Sequence, residues 1–191
     1  MIRSAKFYLR TSFNFFVLRF HSVLFRLKGL LSGYYIGPGL VLYARGNIDI
    51  GASVVIHSRA SISVVENATL RIGAHSRIGS DAVISCASQV TLGDEVLVAA
   101  RCYIADYSHE YRNPNLAVLR QGRSVPEPVF IGSGTWLGIN VCVLPGVTLG
   151  KNCVVAAGSV VTKSFPDHSV IGGVPARLLK SLAPDTGNEA R

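Results

Sequence analysis

An aliphatic residue recurs every sixth position over much of this chain, and that period restricts its fold more than any other feature. Ile131, Leu137, Val143, Leu149, Val155 and Val161 follow one another without a break. The same spacing links Ile36, Leu42 and Ile48, then Ile50, Ile56 and Ile62, then Ile72, Ile78 and Ile84, then Leu92, Val98 and Ile104. An α-helix repeats at 3.6 residues and a half-buried strand at two, so a period of six is neither. It suits a short strand followed by a turn, with the aliphatic side chain pointing inward. Three such units close an 18-residue triangular coil, and coils stack at the strand spacing of about 4.8 Å.

Two further positions keep the same beat. Gly often follows the aliphatic residue, as at Gly37, Gly51, Gly73, Gly79, Gly93, Gly132, Gly138 and Gly150. Four positions after it come small or short residues: Val54, Ala60, Ser76, Ala82, Val96, Cys102, Thr135, Val141, Val147, Cys153 and Ser159. Cys102 and Cys153 therefore read as core fillers. With no CxxC pair among the four cysteines, neither a disulfide framework nor a cysteine metal site is indicated. The expected compartment is the reducing cytosol.

Charge is unevenly spread. The formal net charge is +8 from 19 bases and 11 acids, and charged residues are only 16% of the 191. Seven bases and no acid precede Asp49, which leaves the remainder close to neutral. A nucleic-acid binder carries its basic stripe on the folded body, so nucleic acid is not an expected partner. Residues 1–33 form a basic, apolar segment whose charges interrupt every stretch of spanning length. Two short helices are expected there, either packed on the domain or lying at the inner membrane face.

The run from Pro128 to Lys180 resembles the hexapeptide-repeat acyltransferases. It is most similar to the bacterial sugar and polysaccharide O-acetyltransferases. The marks are I-G-x-x-x-W-L-G at 131–138, P-G-V-T-L-G at 145–150, A-G-S-V-V-T-K at 157–163 and G-V-P-A-R at 173–177. The resemblance implies an all-β solenoid, a left-handed parallel β-helix over residues 34–170 with an active-site loop at 105–129. Residues 171–191 are expected to form a short helix and tail. It further implies a homotrimer with acetyl-CoA as co-substrate, no metal, and a sugar or glycan acceptor held between neighbouring solenoids.

Site residues carry over from the resemblance one by one. The longest departure from the period, Ala105 to Val129, bears Asp106, His109, Glu110, Arg112, Arg120 and Arg123. Its D-Y-S-H segment resembles the family's D-x-x-H, which makes His109 the general base and Asp106 a candidate to orient the imidazole. Neutral imidazole accepts a hydroxyl proton near pH 7, and a thioester is already activated. Trp136 matches a tryptophan of the acceptor cleft. Ala157 matches a backbone contact to the pantetheine arm. Thr162 and Lys163 match the pair near the pantetheine and nucleotide phosphates, and Arg177 and Lys180 match bases near the adenosine phosphates. His57, His75 and His168 read as surface or structural.

Departures from the family pattern narrow the acceptor. Ile139 stands where some relatives have a cofactor-contacting Ser, and Gly79 where an Asn is common. Glu110 follows His109 where maltose- and galactoside-type enzymes have a proline. These differences favour the polysaccharide-modifying branch over soluble disaccharides. A zinc carbonic anhydrase on the same solenoid requires three convergent histidines, which the spacing here does not supply. An N-acetyltransferase acting on an amino sugar or antibiotic, and a non-catalytic scaffold, are the remaining alternatives.

Overall fold

The computed structural model describes residues 35–183, and the segment expected to be helical at the N-terminus lies outside them. The described chain winds as a parallel solenoid with three flat faces. Face A stacks β1 (Tyr35–Ile36), β4 (Val55–Ile56), β7 (Arg77–Ile78), β10 (Leu97–Val98), β13 (Trp136–Leu137), β16 (Val154–Val155) and β18 (Ser169–Gly173). Face B stacks β2 (Val41–Ala44), β5 (Ser61–Val64), β8 (Val83–Cys86), β11 (Tyr103–Ala105), β14 (Cys142–Val143) and β17 (Val160–Val161). Face C stacks β3 (Asn47–Ile50), β6 (Thr69–Ile72), β9 (Gln89–Leu92), β12 (Val129–Ile131) and β15 (Thr148–Leu149).

The period of six positions the core. Ile56, Ile62, Ile78, Ile84, Leu92, Ile104, Ile131, Leu137 and Leu149 are fully buried. Every small residue singled out four positions on is buried too, including Ser76, Thr135 and Ser159. Their hydroxyls tie strand to turn. Thr135 Oγ1 donates to Gly150 O at 2.9 Å and accepts from Cys153 N at 3.1 Å. Ser76 makes the equivalent pair with Gly93 O and Val96 N. Buried hydroxyls are thus satisfied by the next coil, which avoids the desolvation cost of an unpaired polar group.

The turns explain two of the histidines. At many corners one residue adopts a left-handed conformation; His75 (φ 60) and His168 (φ 63) occupy such positions, as do Asn140 and Asn152. The glycine after the aliphatic residue is needed for close approach. A methyl group at Gly132 would stand 2.5 Å from the Gly150 carbonyl carbon of the coil above.

Two features depart from expectation. Coil length is not a uniform 18: the face A register runs Tyr35, Val55, Arg77, Leu97, and reaches an 18-residue coil only between Trp136 and Val154. The extra residues of the early coils gather between faces B and C, where the strands are four residues long. The second departure is at the C-terminal end, where the described residues 171–183 form strand instead of the expected helix. Residues after 171 continue β18 and return as β19 (Ala176–Ser181), an antiparallel partner that extends face A. A strand there pairs backbone groups that the last coil would otherwise leave open.

Candidate active site

The long excursion leaves face B after Ala105 and rejoins face C at Val129, at the same corner where the early coils carry their extra residues. It is a pinned finger with an antiparallel neck. Glu127 N donates to Asp106 O at 2.7 Å, Ser124 N to Ser108 O at 2.9 Å, and Glu110 N to Gly122 O at 3.0 Å. The last two bonds flank His109 and Arg123, which makes them a non-hydrogen-bonded cross-strand pair. The tip holds one short helix, α1 (Val118–Gln121), tied by the Gln121 side chain to Asn113 and Leu116.

His109 is exposed on this neck, and its imidazole has no hydrogen-bond partner among the described residues. Asp106 does not orient it. The Asp106 carboxylate is fully buried and accepts three backbone N–H bonds of 2.7 Å, from Ala87, Ser88 and Gln89 of the coil below. It clamps the base of the finger to the scaffold instead. Burial first, and then the Asp106 charge, push the neighbouring Cys86 thiol up to about 12. Burial likewise raises the Cys102 and Cys153 thiols. Burial therefore disfavours the thiolate form of these cysteines, as expected of core fillers.

The remaining site residues lie on two edges of the prism. Thr162 and Lys163 follow β17 at the B–C corner, the edge from which the finger springs two coils earlier. Lys163 Nζ lies 5.6 Å from the Phe165 ring centroid. Ala157 follows β16 at the A–B corner, and its amide donates to no acceptor among the described residues. Trp136 lies on face A, in register with Leu97 and Val154, with 48% of its surface exposed. Arg177 and Lys180 are exposed on β19. None of Lys163, Arg177 and Lys180 has an acid partner among the described residues, as a polyphosphate site requires.

The outer columns of the faces also differ. Face A presents Tyr35, Val55, Arg77, Leu97, Trp136 and Val154; face B presents Ser61, Ser63, Val83, Ser85, Tyr103 and Val160. Face C presents Asn47, Asp49, Thr69, Arg71, Thr91, Phe130 and Thr148. Large apolar outward residues are concentrated on face A, with Tyr103 on face B, while face C is mostly polar apart from Phe130.

Residues 128–163 match the model of the bacterial transferase hexapeptide (six repeats), and residues 69–105 match that of the hexapeptide repeat of succinyl-transferase. Two blocks of the chain thus carry the hexapeptide repeat of bacterial transferases. A Mycobacterium tuberculosis protein named as a probable acetyltransferase is 37% identical over 59% of this chain and 37% of its own length. The galactoside O-acetyltransferase of Escherichia coli is 37% identical over 49% of this chain and 44% of its own. The hexapeptide-repeat chain thus spans less than half of either curated relative. The solved hexapeptide-repeat acetyltransferase of Vibrio cholerae, complexed with acetyl-CoA, superposes with a TM-score of 0.59 at 26% identity. That match covers 85% of this chain and 78% of the other.

Sequence reasoning passed over Tyr107 and the pairing of Arg123 with His109. Arg123 lies 14 positions from His109, and no local pattern signals a cross-strand contact between them. The Arg123 guanidinium carbon stands 4.9 Å from the Tyr107 ring centroid.

Proposed function

We propose that the chain is an acetyl-CoA-dependent O-acetyltransferase acting on a sugar hydroxyl of a surface polysaccharide or its precursor. The observation that carries this reading is His109 held exposed on a pinned neck. It stands on the same edge as Thr162 and Lys163, in a chain built of transferase hexapeptides. As the hydroxyl oxygen attacks the thioester carbonyl, the His109 imidazole takes its proton. The C–S bond breaks, the acetyl ester forms, and the proton passes to the departing sulfur. Holding both substrates in place supplies much of the remaining acceleration.

Thr162 and Lys163 would meet the donor from one edge, while Ala157, Arg177, Lys180 and the Trp136 wall stand on or beside face A. A single solenoid keeps these edges apart, so the reading calls for a homotrimer in which faces A and B cover one another. Each site would then draw on two copies. The absence of a proline after His109 supports a glycan acceptor over a free disaccharide.

The donor assignment is tested with Lys163→Ala and Arg177→Ala. Each is expected to raise the KM for acetyl-CoA about tenfold, by loss of a charge-assisted contact, with little change for acetyl-pantetheine. Equal losses with both donors would refute the phosphate contacts.

A further inference from the structure

We propose that the acceptor is an anionic sugar, its carboxylate or phosphate held by Arg123 beside the His109 base. The inference rests on His109 acting as that base, and it names the substrate class for the same site. His109 and Arg123 form the non-hydrogen-bonded kind of antiparallel pair, in which facing Cα atoms approach to about 4.5 Å and side chains share one face. Tyr107 lies two residues before His109, at the root of the neck. The Arg123 guanidinium stacks on the Tyr107 ring, which fixes its plane while leaving its N–H edge free to bind a planar or tetrahedral anion.

No carboxylate neutralises that cation. Among the described residues Arg123 has no ion pair, and the nearby acids are engaged elsewhere. Glu110 accepts from the Tyr111 and Arg112 amides and pairs with Arg112 at 3.2 Å. The Glu127 carboxylate stands against the Gly146 turn. The donor has its own bases in Lys163, Arg177 and Lys180, so Arg123 is surplus to it. A guanidinium one side chain away from the base fits an acceptor whose anionic group and reacting hydroxyl belong to one sugar ring.

The experiment compares methyl glucoside, methyl glucuronide and glucose 1-phosphate as acceptors for the full chain with acetyl-CoA, alongside ligand binding by saturation-transfer NMR. The expected result is preference for the glucuronide, the phosphate or both over the glucoside, and the two anionic arms separate a carboxylate from a phosphate acceptor. Arg123→Gln should cut the anionic-to-neutral ratio of kcat/KM about tenfold through the acceptor KM. The KM for acetyl-CoA should not move, and Arg123→Lys should restore part of the preference. A uniform loss on all three acceptors, or a rise confined to the acetyl-CoA KM, would overturn the proposal. So would wild-type protein that binds glucuronide and phosphate no better than glucoside, whatever its turnover. His109→Ala should keep the anionic binding preference. Turnover surviving in that variant would sink the base assignment and leave the anion site standing.

Discussion

The stacked coils and the finger at 106–128 solve the same problem of order in opposite ways. From Ile56 onward the period-of-six side chains are buried, and the inner strands of each face have parallel partners above and below. In the finger, residues 111–120 are all exposed, and order comes from a few antiparallel bonds at the neck and the Gln121 ties at the tip. One region is stabilised by burial, the other by anchoring to it. Loops on rigid scaffolds carry function because their residues need not serve the core. The one deep link between the two regions is Asp106, buried like a coil residue yet placed at the finger's root.

That division sets an order of expected effects. The largest loss of stability belongs to a coil residue. Ile84→Ala should cost about 2–5 kcal/mol, the range for a cavity left in a packed core, read as a lowered denaturant midpoint. A cost below 1 kcal/mol would mean that the coils are not packed as described. Asp106→Ala comes next. It leaves three half-buried amides without their acceptor and should cost roughly 3 kcal/mol while lowering kcat through a displaced finger. Loss of kcat with no loss of stability would make Asp106 part of the chemistry instead of a clamp. The smallest effect belongs to a turn. Glu95 holds φ 57, so Glu95→Gly relieves strain but loosens the unfolded chain. A net change within about 1 kcal/mol is expected by thermal melting, and a larger loss would assign the Glu95 side chain a contact of its own.

How far the sequence could be read follows the same line. The period exposed the inward residues of the coils because each hexad repeats one local geometry, and Val54, Thr135 and Ser159 could be placed in the core by spacing alone. The C-terminal strand β19 misled as a helix because a short apolar run with interspersed bases has no decisive period. Asp106 was a candidate to orient His109 through the D-Y-S-H segment, in which closeness in sequence does not establish contact. Its actual partners lie 17 to 19 positions earlier, one coil below. Arg123 was visible as a base in the excursion but not as the neighbour of His109. A turn-forming finger pairs residues by a register that only the folded neck fixes.

The most direct test of the division between scaffold and chemistry is a paired measurement on His109→Ala: its kcat for acetyl transfer and its melting temperature. The account predicts a fall in kcat of roughly 10²–10⁴-fold, the contribution of a positioned general base. The melting temperature should stay near that of the parent chain, since an exposed residue without partners contributes little to stability. Retained turnover, or a loss of activity matched by a large drop in melting temperature, would contradict it.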